Sequence, residues 1–150
     1  YDLMSWMSPA WPIGAFAHSG GLEWAVEAGH VRDRPSCAAW IADLVERGAI
    51  HNDLVLFVHA WRAAKAGDAE RLRDIAELAA ATQTGFERRL EATAQGAAFR
   101  RIAEATVVPP QAGPSVGERP RFAQLLDAIE DEDLTYPVVA ATLFAQQGIP

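Results

Sequence analysis

The segment from Val138 to Gln147 is apolar on nearly every side when it is drawn as an α-helix. Such a helix has no polar face to turn towards water, so it has to be buried. Thr135-Tyr136-Pro137 precedes it, and proline is tolerated in the first turn of a helix. The sequence therefore predicts a buried helix here, which requires other elements to cover it.

The rest of the chain places apolar residues at the three- and four-residue spacing of amphipathic helices. Helices are predicted over residues 20–29, after Pro35, from Asn52 or Asp53 to Gly67, after Asp68, after Thr84, and around 122–129. No run of alternating residues is long enough to indicate a strand. Residues 106–120 are rich in proline and glycine and are expected to form a long loop. The expected fold is an all-α, single-domain bundle of about seven helices with one long loop.

Local signals predict how several of these helices begin, end and face the core. Gly67 is expected to end one helix and Asp68 to cap the next. Thr84 and Glu87 have the spacing of a capping box, and Ser19 is expected to cap the helix that opens at Gly20. The predicted inward residues are Trp40, Ile41, Leu44 and Val45; Leu54, Phe57, Val58 and Trp61; and Phe86, Leu90, Ala94, Ala97 and Ile102.

Composition excludes some classes of function. A chain of 150 residues is long enough to bury a core without a metal or disulfide. The formal net charge of -7 argues against nucleic-acid binding, which needs a cationic surface. The lone cysteine, Cys37, favours a reducing, cytoplasmic setting. No stretch approaches the ~20 apolar residues of a membrane span, and no signal peptide is evident.

The stretch SPAWPIGAFAHSGGLE, residues 8–23, is the most distinctive in the chain. As a phosphate loop it lacks the lysine and hydroxyl that hold phosphates and Mg²⁺. As a nucleophile elbow it lacks the glycine two residues before Ser19. A hydrolase that uses Ser19 with His18 remains an alternative, and capping by Ser19 is favoured over it.

No metal site is predicted, because the histidines form neither a His-x-x-x-His pair nor a Cys/His cluster. The histidines are His18, His30, His51 and His59. The acidic run from Glu130 to Asp133 is expected to be a solvated turn at a helix end rather than a catalytic pair. Recognition of a partner protein remains as a function for residues 8–23, because large apolar residues lie in or beside this Pro/Gly-rich stretch. These are Trp6, Met7, Trp11 and Phe16.

Several separated pieces of this chain together resemble the family of urease accessory proteins UreF. The pieces are residues 8–23 continuing to Gly29, the Trp40-Ile41 helix with the Asp53 segment, ERRLEA at 87–92 with Gln95-Gly96, and Tyr136-Pro137-Val138 with Gly148-Ile149. They follow the order of the family and extend over nearly the whole chain. The resemblance treats residues 1–150 as one helical domain without the C-terminal tail of that family.

The resemblance implies a cytoplasmic, non-enzymatic, all-α protein that forms a homodimer. It implies assembly with the accessory proteins UreD/UreH and the GTPase UreG, and a role in nickel insertion into urease apoprotein. Nickel and GTP would be handled by the partners, so no catalytic, cofactor-binding or metal-binding residue is assigned to this chain. An unrelated helical protein-binding module is the other alternative.

The resemblance also carries over candidate partner-interface or motif residues. They are Ser8, Pro9, Pro12, Gly14, Phe16, Ser19, Gly21, Leu22, Glu23, Glu91, Tyr136 and Pro137. The two prolines are expected to stiffen the segment, and the glycines to permit tight turns. Phe16 and Leu22 are expected to anchor it on the bundle. Glu23 is expected in the first turn of a helix, where the helix dipole favours a carboxylate.

Overall fold

α-Helices make up most of the chain in the computed structural model, which describes residues 2–14, 21–107 and 120–150. The helices are α1 (Asp2–Trp6), α2 (Leu22–Glu27), α3 (Arg34–Arg47), α4 (Ala49–Ala66), α5 (Ala69–Ala81), α6 (Phe86–Thr106), α7 (Arg121–Leu126) and α8 (Tyr136–Gln146), with a 3-10 turn at Asp131–Asp133. These ranges contain no strand, so the all-α prediction is confirmed. The short α1 was not predicted. Most of the predicted loop lies outside the described ranges. No helix within them is long and apolar enough to cross a membrane.

Helix α8 forms the centre of the bundle. It packs against α4, α6 and α7, and each residue from Val138 to Phe144 is buried. The hydroxyl of Thr142 satisfies its hydrogen bonding inside this helix by donating to the carbonyl oxygen of Val138 over 2.9 Å. The prediction of a buried helix is confirmed, because packing against α4, α6 and α7 removes this apolar segment from water.

The ends of α5 and α3 show how side chains fix helix boundaries. Asp68 caps α5 by accepting a hydrogen bond from the backbone N–H of Arg71 at 3.0 Å, as predicted. Gly67 ends α4 with a φ of 75°, also as predicted. A true capping box opens α3, where Asp33 accepts from the Ser36 N–H at 2.9 Å and the Ser36 hydroxyl accepts from the Asp33 N–H.

Three predicted helix starts are wrong. Helix α2 begins at Leu22 with Gly21 as its N-cap, rather than at Gly20 after Ser19. Helix α4 begins at Ala49 rather than after Asn52 or Asp53, because only the extended backbone of Gly48 separates it from α3. Helix α6 begins at Phe86 with Gly85 as its N-cap, at a φ of 118°, and no side-chain cap. Thr84 therefore lies one residue before the capping position, and the predicted Thr84–Glu87 capping box does not form.

The predicted inward faces of α3, α4 and α6 are partly wrong. No residue of α3 is buried, and several predicted inward residues of the other two helices are exposed. The exposed members are Ile41, Val45, Leu54, Val58, Phe86, Leu90, Ala94 and Ala97, whereas Trp40, Leu44, Phe57, Trp61 and Ile102 are half-buried. The bundle instead buries Leu56, Ala60, Ala63 and Ala64 of α4 and Gly96, Phe99 and Ala103 of α6. The faces that meet α8 carry many small residues, because small side chains let the helices approach closely.

The end of α7 and the acidic run after it also differ from the predictions. Helix α7 ends at Leu126, so Ile129 is buried beyond the helix rather than within it. The predicted solvated turn is correct for Glu130, Asp131 and Glu132, which are exposed. Asp133 is half-buried and accepts a hydrogen bond from the guanidinium of Arg89 at 3.2 Å. The last acidic residue of the run thus ties the 3-10 turn to α6.

Candidate functional site

The segment that follows α1 folds over the start of α8 and forms a cleft of about 670 Å³. We call it the N-terminal cleft. Its lining residues are Trp6, Met7, Ser8, Pro9, Trp11, Pro12, Ile13, Gly14 and Tyr136. The cleft therefore joins the first and last motif pieces of the sequence, since Ser8, Pro9, Pro12 and Gly14 line it together with Tyr136.

Aromatic rings anchor this segment to the bundle. Trp11 packs on Phe99 with ring centroids 4.8 Å apart, and Phe99 meets Tyr136 almost edge-on at 5.4 Å. Such pairs contribute about 0.5–1.5 kcal/mol each beyond the burial of their area. Phe99 is fully buried, so it forms the floor beneath two half-buried rings of the cleft wall. The cleft is thus continuous with the core of the bundle.

The Tyr136 hydroxyl closes one side of the cleft. It donates a hydrogen bond to Sδ of Met7 over 3.4 Å. Burial raises the pKa of the Tyr136 phenol, so this group stays protonated and remains a donor at neutral pH. Its place at the start of α8 comes from the Thr135-Tyr136-Pro137 helix start that the sequence predicted.

Backbone turns give the cleft segment its shape. The Ser8 hydroxyl accepts a hydrogen bond from the Ala10 N–H at 3.1 Å, and the Ser8 carbonyl accepts from the Trp11 N–H at 3.0 Å. Gly14 has a φ of 83°, a conformation that side-chain-bearing residues rarely adopt. Gly14 thus uses the backbone freedom of glycine, and the tight turn at this position stays a prediction. Pro9 and Pro12 are exposed.

Other predicted motif residues lie away from the N-terminal cleft. Gly21 is the N-cap of α2 at a φ of 81°, and Leu22 behind it is half-buried. Glu23 lies in the first turn of α2, as predicted. Phe16, together with His18 and Ser19, lies outside the described residues. Because Gly21 is the N-cap of α2, the predicted cap at Ser19 is wrong. No observation bears on the Phe16 anchor or the hydrolase alternative.

Glu91 and Pro137 also lie outside the cleft lining. Glu91 is half-buried on α6, where it accepts a hydrogen bond from the Gln95 amide at 3.2 Å and lies 3.8 Å from Arg88. Its described contacts are thus within its own helix. Pro137 lines a neighbouring groove between α4 and α8. Of the ten motif residues that the structure describes, the cleft brings together five, namely Ser8, Pro9, Pro12, Gly14 and Tyr136.

A polar pocket of about 510 Å³ lies beside the ends of α3, α4, α5 and α6, and sequence reasoning missed it. Its lining residues are Glu46, Arg47, Gly48, His51, Asn52, Asp53, Thr82, Gln83, Thr84 and Arg88. Burial raises the pKa of the half-buried Asp53 carboxyl, while a hydrogen bond from Gln83 and the charge of Arg88 lower it less. The sequence predicted Asp53 only as a possible helix cap. No local pattern reveals the pocket, because its other wall comes from the turn between α5 and α6.

Metal binding has no cluster to support it in the parts of the chain that the structure describes. Within them, no three His, Cys, Asp or Glu side chains come together in a way that could hold an ion. His51 is exposed at the rim of the polar pocket, and the His30 ring packs on Trp24 at 5.3 Å.

The sequence model of the UreF family matches residues 31–150. This chain belongs to the UreF family. Urease accessory proteins UreF of Rhodopseudomonas palustris strain BisB5 and of Bradyrhizobium sp. strain BTAi1 are 46% and 44% identical to it over 150 residues, which is 100% and 99% of the chain. That of R. palustris strain HaA2 is 55% identical over 102 residues, 68% of this chain and 43% of the relative.

This UreF-family chain spans 57% of the length of the first two relatives. The match to the family model begins after the N-terminal cleft segment. The relatives from strain BisB5 and from Bradyrhizobium nevertheless align over essentially the whole chain, the cleft segment included. The family model thus supports the assignment over residues 31–150, and the similarity to these relatives extends over the cleft segment as well.

Proposed function

We propose that this UreF-family chain is a non-enzymatic scaffold that assembles with UreD/UreH and the GTPase UreG during nickel insertion into urease apoprotein. Its relatives are named for an accessory role to urease. In this proposal the partners handle nickel and GTP, and the scaffold modulates the GTPase. The protein works in the cytoplasm as a homodimer.

The N-terminal cleft is the observation that carries this proposal. Exposed Met7, Pro9 and Pro12 stand around the half-buried rings of Trp11 and Tyr136. Contiguous apolar surface of this kind is a mark of protein–protein contact. The prolines restrict the free segment, so less conformational entropy is lost when a partner orders it. The cleft is therefore suited to a protein surface.

Size-exclusion chromatography with light scattering tests the proposal on the full-length protein. The protein is run alone, then with UreD/UreH, and then with UreG and GTP. We expect a dimer that takes up the first partner and afterwards the GTPase. A protein that captures neither partner would contradict the scaffold function, whatever its fold.

A pair of proline variants then tests the cleft itself. Pro12→Asp puts a charge into the cleft and is expected to weaken binding of one of the two partners about tenfold, or 1.4 kcal/mol. Pro35→Asp is the matched control, because Pro35 is also exposed and lies in the first turn of α3, outside the lining of the cleft. Equal partner affinity of both variants and wild type would exclude the cleft as the contact surface.

A further inference from the structure

A second apolar depression, of about 390 Å³, lies between α1, α4 and α8 next to the N-terminal cleft. We call it the α4 groove. Its lining residues are Leu3, Met7, Ile50, Asp53, Leu54, Phe57, Tyr136, Pro137, Ala140 and Phe144. Met7 and Tyr136 also line the cleft, and Asp53 also lines the polar pocket. The α4 groove thus connects an apolar surface to a polar one.

Large apolar side chains form the rim and floor of the α4 groove. Leu3 of α1 and Ile50 and Leu54 of α4 are exposed along its rim. Phe57 and Phe144 meet edge-on beneath them, with ring centroids 5.6 Å apart. A partner surface that binds over this depression removes the exposed apolar side chains from water, which is favourable.

Asp53 is the one charged residue that lines the α4 groove among the described residues. The positive charge of Arg88 partly stabilises the Asp53 carboxylate, but Arg88 also forms an ion pair with Glu91 at 3.8 Å. Burial of the Asp53 carboxylate is therefore only partly offset within the chain. A cation supplied from outside would offset it further, and the net charge of -7 also favours a cationic partner.

The walls of the α4 groove suit a helix better than an extended peptide. The Tyr136 hydroxyl is the other polar group of the lining, and it already donates to Met7. An extended peptide would lose water from its backbone amides without gaining partners, whereas a helix satisfies its own backbone. Ile50, Leu54 and Phe57 follow one another at helical spacing over roughly 10 Å of α4, which matches about two turns of a partner helix.

We propose that the α4 groove binds an amphipathic helix of a partner protein, which inserts apolar side chains between α1 and α4 and places a lysine or arginine against Asp53. The proposal holds whether or not UreD/UreH and UreG use the N-terminal cleft. Leu54 lines the groove and not the cleft, so variants at Leu54 and Pro12 test the two surfaces separately.

A display library of amphipathic helical peptides, with apolar anchors at helical spacing and randomised polar positions, is selected on the immobilised full-length protein. We expect binders that carry lysine or arginine at a constant distance from the anchors. Leu54→Asp is expected to weaken their binding about tenfold or more. Leu78→Asp, on α5, should leave peptide binding unchanged, because Leu78 does not line the groove. It is a matched control, since Leu54 and Leu78 are similarly exposed, at 47% and 53%. Leu54→Ser serves as a milder second variant, and circular dichroism verifies the fold of each.

The charge is tested with one selected peptide and its Lys→Gln or Arg→Gln counterpart. Wild type should prefer the cationic peptide several-fold, and Asp53→Asn should bind both peptides alike. Retention of the preference in Asp53→Asn would overturn the role of Asp53. Failure to select binders, or equal binding by Leu54→Asp and wild type, would overturn the groove as a helix site. A dimer that Leu54→Asp dissociates and Leu78→Asp does not would assign the groove to a second copy and also overturn the proposal.

Discussion

Gly96 of α6 faces the carbonyl oxygen of Leu134 so closely that a Cβ on Gly96 would lie 1.9 Å from that oxygen. The carbonyl carbon of Thr135 would be only 2.9 Å away. Both obstacles are backbone atoms, which cannot rotate aside as a side chain can. The approach of α6 to the start of α8 therefore requires glycine at this position.

Gly96→Ala is expected to destabilise the protein by about 1–3 kcal/mol, the cost of overpacking a close contact. Helix propensity alone would give the opposite sign, because alanine is about 1 kcal/mol better than glycine inside a helix. Urea unfolding followed by circular dichroism measures the difference. Ala97→Gly, at an exposed position of the same helix, calibrates the propensity effect. A Gly96→Ala protein as stable as wild type would show that α6 is not in close contact here.

Gly96 also illustrates which parts of the fold a sequence reveals. The burial of α8 follows from its own composition, and the cap at Asp68 from its neighbours, so both are predictable locally. The need for glycine at position 96 depends on a carbonyl far along the chain, and no local pattern encodes that distance. The same limit affected the inward faces of α4 and α6, because apolar periodicity marks a face but not what covers it.

The two phenylalanines of α6 provide a matched test of which face is inward. Phe99 is fully buried against Trp11 and Tyr136, whereas Phe86 is 74% exposed. Phe99→Ala is expected to cost about 3–5 kcal/mol through lost burial and the cavity that it leaves. Phe86→Ala should change the free energy of unfolding by no more than about 0.5 kcal/mol.

Chemical denaturation of both variants measures this difference, and the fluorescence of Trp11 and the other tryptophans reports on the anchoring of the N-terminal segment. Equal losses for the two variants would mean that the predicted face through Phe86 is buried after all, in the full-length protein or in a dimer. That result would restore the inward face first inferred from the spacing of Phe86, Leu90 and Ala94.

The candidate site was only partly predictable. Residues 8–14 and Tyr136 were recognised as motif pieces, yet only the folded chain shows that they share one cleft. The sequence marks Asp53 as a possible cap but gives no sign of its partial burial or of its hydrogen bond with Gln83 from the turn after α5. Pairings between distant segments require the packing of α4, α6 and α8, which a single sequence does not specify.

Asp53 makes stability depend on pH in the direction opposite to a salt-bridged carboxylate. Burial raises its pKa in the folded state above 3.8, so the folded protein binds this proton more tightly than the unfolded chain. The ionised carboxylate therefore costs stability at neutral pH, and that cost disappears as the pH falls through the folded pKa towards 3.8. Asp53→Asn is expected to raise the Tm at pH 7, with a gain that shrinks as the pH approaches 4.

Differential scanning calorimetry between pH 4 and pH 7 measures this trend. Asp74→Asn, at an exposed position of α5 outside the polar pocket, controls for the change in net charge. A Tm gain for Asp53→Asn that grows towards acidic pH would contradict a burial-dominated carboxyl. The same trend in both variants would attribute it to overall charge rather than to the pocket.

The cap at Asp68 and the failed capping box at Thr84 predict different outcomes for the same kind of substitution. Asp68→Ala removes the acceptor of the Arg71 N–H hydrogen bond, so it is expected to destabilise the protein by about 1 kcal/mol. Thr84→Ala removes no cap, because Gly85 occupies the N-cap position of α6. It should leave the free energy of unfolding within about 0.5 kcal/mol of wild type. Urea unfolding measures the free energy of unfolding of both variants. A loss of stability in Thr84→Ala equal to that in Asp68→Ala would show that Thr84 caps α6.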